Sequence, residues 1–351
     1  MRHCIVKKRN RVQLCIFMDK HYMINSKNTC MKVMAFQKYG SPETLKLKEI
    51  EKPVPKDNEL LIKVHACSVN SWDWDLLKGT PLVNRMMFGW RKPKITALGC
   101  DIAGVVEETG STIKAFKKGD QVFGDISRNG WSGFAEYVCV SEDSLTVKPS
   151  EMTFEVAASL PQAAAMAVQS LYDKIKIKPG QKILVNGAGG GVGTIVVQLA
   201  RHLGAEITAV DKEEKFDLLR SLGADHCIDY KKEDFSKKGE KYDLIIDVVG
   251  KHSIFELKKV LNPKGVYRMV GGSASLIFQL VFLGPLISRL SGRKLGILVH
   301  EPNKHMKFLL ELIASGKVVP IVDRTYQLEQ LPQALWHLGE GKVQGKVVVT
   351  I

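Results

Sequence analysis

With 351 residues, 45% of them apolar, the chain is long enough for two domains of ordinary size, and its composition excludes a disordered or low-complexity protein. Its seven cysteines lie far apart with no C-x-x-C pair, which argues against a disulfide framework and a cysteine-rich zinc lobe and suits a reducing, cytoplasmic setting. The formal charge is +14, and seven cations before residue 31 (Arg2, Lys7, Lys8, Arg9, Arg11, Lys20, Lys27) face only Asp19, so seven minus one leaves six of the fourteen charges in the opening.

Residues 1–30 show no clear periodicity. They read as a basic arm, a transit-type leader, or sequence upstream of a start at Met31, where "MKVMAFQKYGSPETLKL" begins with a short alternating strand and a Gly-Ser-Pro turn. From Met31 to about Val147 the pattern is strand-like and heavily punctuated. In "ELLIKVHACSV" Ile62, Val64 and Ala66 share one face and Lys63 and His65 the other, the period of a half-buried strand. Closely spaced turns predict an antiparallel, barrel-like domain over 31–155.

After a helix-rich connection the character changes. "KILVN" (182–186), "EITAV" (206–210), "HCIDY" (226–230), "YDLIIDVV" (242–249), "GVYRMVG" (265–271) and "KLGILVH" (294–300) are short strands, most separated by helical stretches, which predicts a parallel, doubly wound sheet over 156–300. The apolar run "LIFQLVFLGPLI" (276–287) is too short and too interrupted to span a bilayer; it reads as a buried or subunit-facing segment, with a peripheral membrane patch as the alternative. "NKHMKFLLELIASGK" predicts an amphipathic helix with Asn303 as N-cap and Gly316 at its end. The closing "GKVQGKVVVTI" is a turn and terminal strand, so residues 301–351 are expected to return to the first domain.

The strongest chemical signal is "KILVNGAGGGVGTIVVQLARHLGAEITAVD". A strand ends at Asn186, glycines run to Gly193, and an apolar helix follows directly. Glycine lets a pyrophosphate approach the backbone, and the helix N-terminus offers free N–H donors and the positive end of its dipole. Read from Ala188 the spacing is A-x-G-x-x-G, and a second strand ends in Asp211, the position from which a carboxylate holds the adenosine ribose of NAD. That favours NADH. Lys212 and Lys215 keep NADPH open.

These residues resemble the medium-chain dehydrogenase/reductase superfamily in its zinc-independent quinone oxidoreductase branch. The likeness covers nearly all of Met31 to Ile351 and rests on the cofactor loop together with "SVNSWDWDLLKG", "GCDIAGVV", "KGDQVFG", "GFAEYV", "SLGADHCIDY" and "GKVVVTI", in the family's order. It implies a GroES-like domain joined to a Rossmann cofactor domain with a cleft between them. Cofactor contacts implied are Gly189, Gly190, Gly191, Val192 and Gly193, then Asp211, Lys215 and Tyr230 at the adenosine end and Val249 and Gly250 toward the nicotinamide. Zinc members place ligands where this chain has Asn70, Cys100 with Asp101, and "LPQAAAM", a set too poor for zinc. The implied chemistry is metal-free hydride transfer, with the Asn70 amide as a donor to substrate oxygen and Asp73 and Trp74 lining the cleft.

The expectation is an NAD(P)H-dependent reductase of a quinone or an activated alkene (enone or enal), acting on a small molecule. No specific nucleic-acid partner is expected; the relatives' habit implies a homodimer, with "KLGILVH" as an edge strand. A zinc-type alcohol dehydrogenase and a non-catalytic NAD(P)-binding sensor or RNA-binding protein stay open as alternatives.

Overall fold

The computed structural model describes residues 30–173 and 175–351. The basic opening, apart from Cys30, lies outside the described residues.

The first domain contains β1 (Cys30–Ala35), β2 (Lys46–Glu51), β3 (Glu59–Val69), α1 (Ser71–Lys78), α2 (Leu82–Phe88), β4 (Asp101–Thr109), β5 (Gln121–Asp125), β6 (Tyr137–Ser141) and β7 (Thr146–Val147). Two helices, α3 (Phe154–Ala158) and α4 (Pro161–Tyr172), lead out of it. The second domain runs β8 (Lys182–Asn186), α5 (Gly191–His202), β9 (Glu206–Asp211), α6 (Phe216–Ser221), β10 (His226–Asp229), β11 (Tyr242–Asp247), α7 (Ile254–Lys259), β12 (Leu261–Met269), α8 (Ala274–Phe282), α9 (Gly284–Ser291) and β13 (Lys294–Ile297). The chain then returns through α10 (Met306–Ala314), β14 (Val322–Gln327), α11 (Leu331–Gly339) and β15 (Lys346–Thr350).

In the second domain six strands lie in the order β10-β9-β8-β11-β12-β13, all parallel, with β8 beside both β9 and β11. The order reverses at β8, so a crevice opens at its carboxyl end, where doubly wound sheets bind ligands. β8 and β9 are near-continuous apolar runs because helices cover both faces; Ile183, Val185, Ile207 and Ala209 join the α5 residues Ile195, Val196 and Leu199 in one core.

The first domain's sheet runs β14-β15-β3-β4-β5-β7, with β6 also on β3. β3, predicted over 59–69, has those bounds, and Ile62, Val64, Cys67 and Val69 sit in its core. β15 pairs antiparallel with β3, Val347 opposite Val69, so the terminal strand closes the first domain as expected.

One local reading needs correction. Asn303 is not the N-cap of α10: that position is His305, and the Asn303 side chain instead accepts from Asp125 N at 2.8 Å and donates to Asp125 O at 2.9 Å, tying the two domains together. The run 276–287, read as buried or subunit-facing with a membrane patch as the alternative, divides between two helices, part buried and part exposed. α8 and α9 are bent by 54° at their junction; Leu276, Leu280 and Ile287 are buried while Phe278, Val281, Phe282 and Leu286 are exposed.

Candidate active site

The crevice at the end of β8 is bounded by the glycine loop. Gly193 is packed so tightly that a Cβ there would come 2.3 Å from Gly187 O, which fixes the loop against the first turn of α5. At Gly190, by contrast, a Cβ would meet only Gly187 O at 3.6 Å, so this backbone faces open space. No side chain caps α5, whose N-cap is Gly190, and the first-turn amides point out as anion donors. Beside the loop lies a cavity of about 520 Å³ lined by Gly190, Asp211, Lys215, Tyr230 and Val249 of the expected cofactor residues, with Leu338, Gly341 and Val343 of the first domain on its far wall. The donor set and the space fit a dinucleotide. Gly189, Gly191, Val192 and Gly193 build the loop rather than the cavity wall, and Gly250 turns the chain after β11, its N–H donating to Asp247 Oδ1 at 2.7 Å.

The adenosine end differs from the simple expectation. Both oxygens of Asp211 are engaged: Oδ2 accepts from Gly189 N at 2.8 Å, and Oδ1 accepts from Lys212 N at 2.8 Å and lies 3.1 Å from Lys215 Nζ. The carboxylate anchors the loop and is neutralised by its neighbour. Lys212 reaches across the cleft to donate to Glu340 O at 3.0 Å. Sequence reading missed Lys251 and His252, which line the same cavity; His252 Nε2 is 3.0 Å from Asp234 Oδ1. Against the burial that raises it, hydrogen bonds from Ser236 and His252 hold Asp234 down at about 2.

A second constellation forms where four adjacent strands end. β15, β3, β4 and β5 are neighbours, and the register sets Val347 opposite Val69, Ser68 opposite Asp101 and Asp101 opposite Asp125. The resulting row of Lys346, Asn70, Asp101 and Asp125 is buried. Asn70 Nδ2 donates to Asp101 Oδ2 at 3.0 Å and to Cys100 Sγ at 3.5 Å, while Asn70 Oδ1 accepts from Lys346 Nζ at 2.5 Å. Lys346 also donates to Val69 O at 3.2 Å and stands 3.6 Å from Asp101. Burial pushes Asp101 up to about 6, with Lys346 pulling the other way.

This geometry corrects three catalytic assignments. The Asn70 amide has both hydrogens committed inside the protein, so it does not present a free donor to the cleft. Asp73 is wholly buried and accepts from the N–H groups of Asn70 at 2.8 Å and Gly99 at 2.9 Å, fixing the start of α1; burial pushes it up to about 7. Trp74 packs edge-on against Trp336, centroids 5.4 Å apart, so part of its ring serves packing. The residue missed was Lys346. A lysine opening a terminal strand reads as solvent-facing; here its side chain lies against Gly191 and Asn70, which are distant in the sequence.

Cys100, Asp101 and Asp125 have ligand atoms within 4.8 Å of one another, the geometric minimum for a metal site. Their chemistry suits zinc badly. Burial pushes the Cys100 thiol well above its ordinary range, so it holds its proton, and Gln162 Nε2 contacts its sulfur at 3.6 Å. Asp101 accepts from Ser68, Asn70 and Gln162 N beside a lysine cation, and Asp125 accepts from Ser127 N with His300 Nε2 at 3.1 Å. The donor set does not fit the ion.

Comparison with known proteins agrees with this architecture. A family profile described as alcohol dehydrogenase GroES-like domain matches residues 56–150, and one described as zinc-binding dehydrogenase matches residues 222–349. The chain is 33% identical over 331 residues to the 2-methylene-furan-3-one reductase of Solanum lycopersicum, covering 91% of this chain and 79% of that protein. The chain belongs to the medium-chain dehydrogenase/reductase superfamily. Within that superfamily it is an oxidoreductase, 33% identical as well to the NADPH-dependent alkenal/one oxidoreductase, chloroplastic, of Arabidopsis thaliana, over 91% of this chain and 79% of the relative. The quinone oxidoreductase of Coxiella burnetii superposes with a TM-score of 0.81 at 29% identity, over 92% of this chain and 99% of that one. The Escherichia coli quinone oxidoreductase, solved with NADPH, gives a TM-score of 0.80 at 24% identity, over 91% and 100% of the two chains, a likeness of fold.

Proposed function

We propose that this medium-chain reductase uses NAD(P)H, without a metal, to reduce an activated alkene (enone or enal) or a quinone. The observation that carries the proposal is the uncapped N-terminus of α5 behind Gly190, opening on a cavity of dinucleotide size between the two domains. Bound there, a reduced nicotinamide supplies the hydride that the substrate's electrophilic carbon accepts. The names of relatives, among them an alkenal/one oxidoreductase and a 2-methylene-furan-3-one reductase, support the substrate class.

The polar row that includes Asn70 and Asp101 holds the buried Lys346 in place of a metal. Its ammonium fixes the Asn70 amide and keeps a positive charge beside the buried Asp101, in a low-dielectric setting where preorganised charge acts strongly on a developing oxyanion. For the nucleotide, Asp211 no longer argues for NADH, because its carboxylate is spent on Gly189 and Lys215. Lys215 faces the same cavity, and NADPH is taken to be accepted at least as well as NADH.

The deciding experiment follows NADH and NADPH oxidation separately, with chelator-treated protein and a panel of quinones, enones and saturated aldehydes. Turnover of enones or quinones that chelator leaves unchanged is expected. Aldehyde turnover lost on chelation and restored by zinc would overturn the reading.

A further inference from the structure

The bent pair α8–α9 stands outside the site and outside the proposed reaction. Its inner side is ordinary core: Leu276, Leu280 and Ile287 pack with Leu295 of β13, and Leu295 N donates to Ser288 Oγ at 3.1 Å. Its outer side is the unusual one. Phe278 is 62% exposed, Phe282 71%, Leu286 58% and Leu290 76%, and the rings of Phe278 and Phe282 stack on the outer face with centroids 6.3 Å apart. The spacing of 278, 281 and 282 puts these side chains on one side of α8, and that of 286 and 290 puts theirs on one side of α9. Single exposed apolar residues need no explanation; a contiguous stripe of large ones does.

Charge identifies the occupant. From Leu257 to His300, 44 residues, the sequence contains no Asp or Glu but seven cations, of which Arg289 and Lys294 are exposed at the edge of the apolar stripe. A second copy docking this patch on itself would bring each copy's Arg289 and Lys294 to the same seam, because a two-fold contact pairs identical surfaces, with no acid in the stretch to compensate. An anionic bilayer complements both features: apolar side chains enter the boundary of the acyl chains while basic ones meet the headgroups. Neither helix alone is long and apolar enough to cross a membrane, and the two are bent by 54° at their junction.

We propose that the outer face of α8–α9 is a docking surface for anionic membranes, seating the reductase on a bilayer with Phe278, Phe282, Leu286 and Leu290 inserted and Arg289 and Lys294 at the headgroups. This inference does not rest on the reading of the active site.

The test is co-flotation of the full chain with vesicles of phosphatidylcholine alone and of phosphatidylcholine with about a quarter phosphatidylserine. Wild type is expected to float with the anionic vesicles and to be released by salt. Phe282→Glu/Leu286→Glu and, separately, Arg289→Glu/Lys294→Glu are expected to lower partition at least about tenfold, since each lost cation weakens binding on the order of fivefold. Circular dichroism and turnover of a water-soluble quinone check that the variants fold. All three proteins share residues 1–29, so differences between them belong to α8–α9. Failure of wild type to float, equal flotation of wild type and variants, or a change of oligomeric state in the Phe282→Glu/Leu286→Glu protein would each overturn the proposal, the last assigning the face to a second copy.

Discussion

The glycine loop and the polar row of Lys346, Asn70 and Asp101 meet at the same domain seam, and they are built on opposite terms. Where the loop enters α5 the first turn has no capping side chain, and a Cβ at Gly190 would face space. In the row the polar groups are already committed to one another, with Asn70 bonded through both its oxygen and its nitrogen. An arrangement with open donors is made to receive a ligand, whereas one with its partners in place is made to hold a shape and a charge. The difference separates binding from positioning in this reductase, and it can be broken or sharpened by substitution.

The largest expected effect is at the loop. Gly190 has extended backbone, which any residue adopts, and its Cβ direction is free of protein, so Gly190→Val is expected to leave the thermal midpoint within a few degrees of wild type while abolishing NADPH binding, at least about a hundredfold by fluorescence titration. Normal affinity in that variant would remove the loop from the site.

Next comes the row. Lys346→Met leaves Asp101 buried without its cation and is expected to cost about 3–5 kcal/mol in denaturant unfolding. The double variant Lys346→Met/Asp101→Asn is expected to recover much of that stability but not turnover. Recovery of both would reduce Lys346 to a structural counter-ion.

Lys215→Ala is a smaller and more selective change. It frees the Asp211 carboxylate toward the cavity and removes a charge-assisted partner, so KM for NADPH is expected to rise about 10- to 100-fold, with a lesser effect on NADH. Equal effects on the two nucleotides would show that Lys215 does not meet the 2'-phosphate.

The mildest effect is a slope. Asp73 is raised by burial to about 7, so between about pH 4 and 7 the native protein binds its proton more tightly than the unfolded chain does. The stability this group contributes is therefore present at low pH and lost as pH rises through that window. Unfolding of Asp73→Asn across the same range is expected to give a flatter dependence than wild type.

How legible each region was follows from the same contrast. The loop was readable because its chemistry is local: strand, glycines, helix and second strand follow one another from Lys182 to Asp211, and β3 was readable from its own alternation. The row was not, because it is assembled by register. Asn70 and Lys346 are 276 positions apart and meet only when β15 pairs with β3. Asp73 and Trp74 were placed in the cleft by their nearness to Asn70 in the chain, yet a helix turns successive side chains in different directions, sending one into the protein and the other against Trp336. The apolar run of α8–α9 showed its hydrophobicity in sequence but not its division into a packed and an exposed side.

The pairing of β15 with β3 also has a consequence for how the protein is made. Val69 meets Val347, so the Ala66–Val69 end of β3, past the stretch paired with β6, has no neighbour on that side until the whole cofactor domain has been synthesised. At ~5–20 residues per second the intervening chain takes roughly 15–60 s to emerge. Throughout that interval the Ala66–Val69 end of β3, beyond the part that β6 covers, presents a bare edge, the kind of template that recruits wrong partners. A strand made after the cofactor domain is thus the one that seals the first domain, and a chain truncated before Lys346 would carry an intact glycine loop beside a sheet that cannot close.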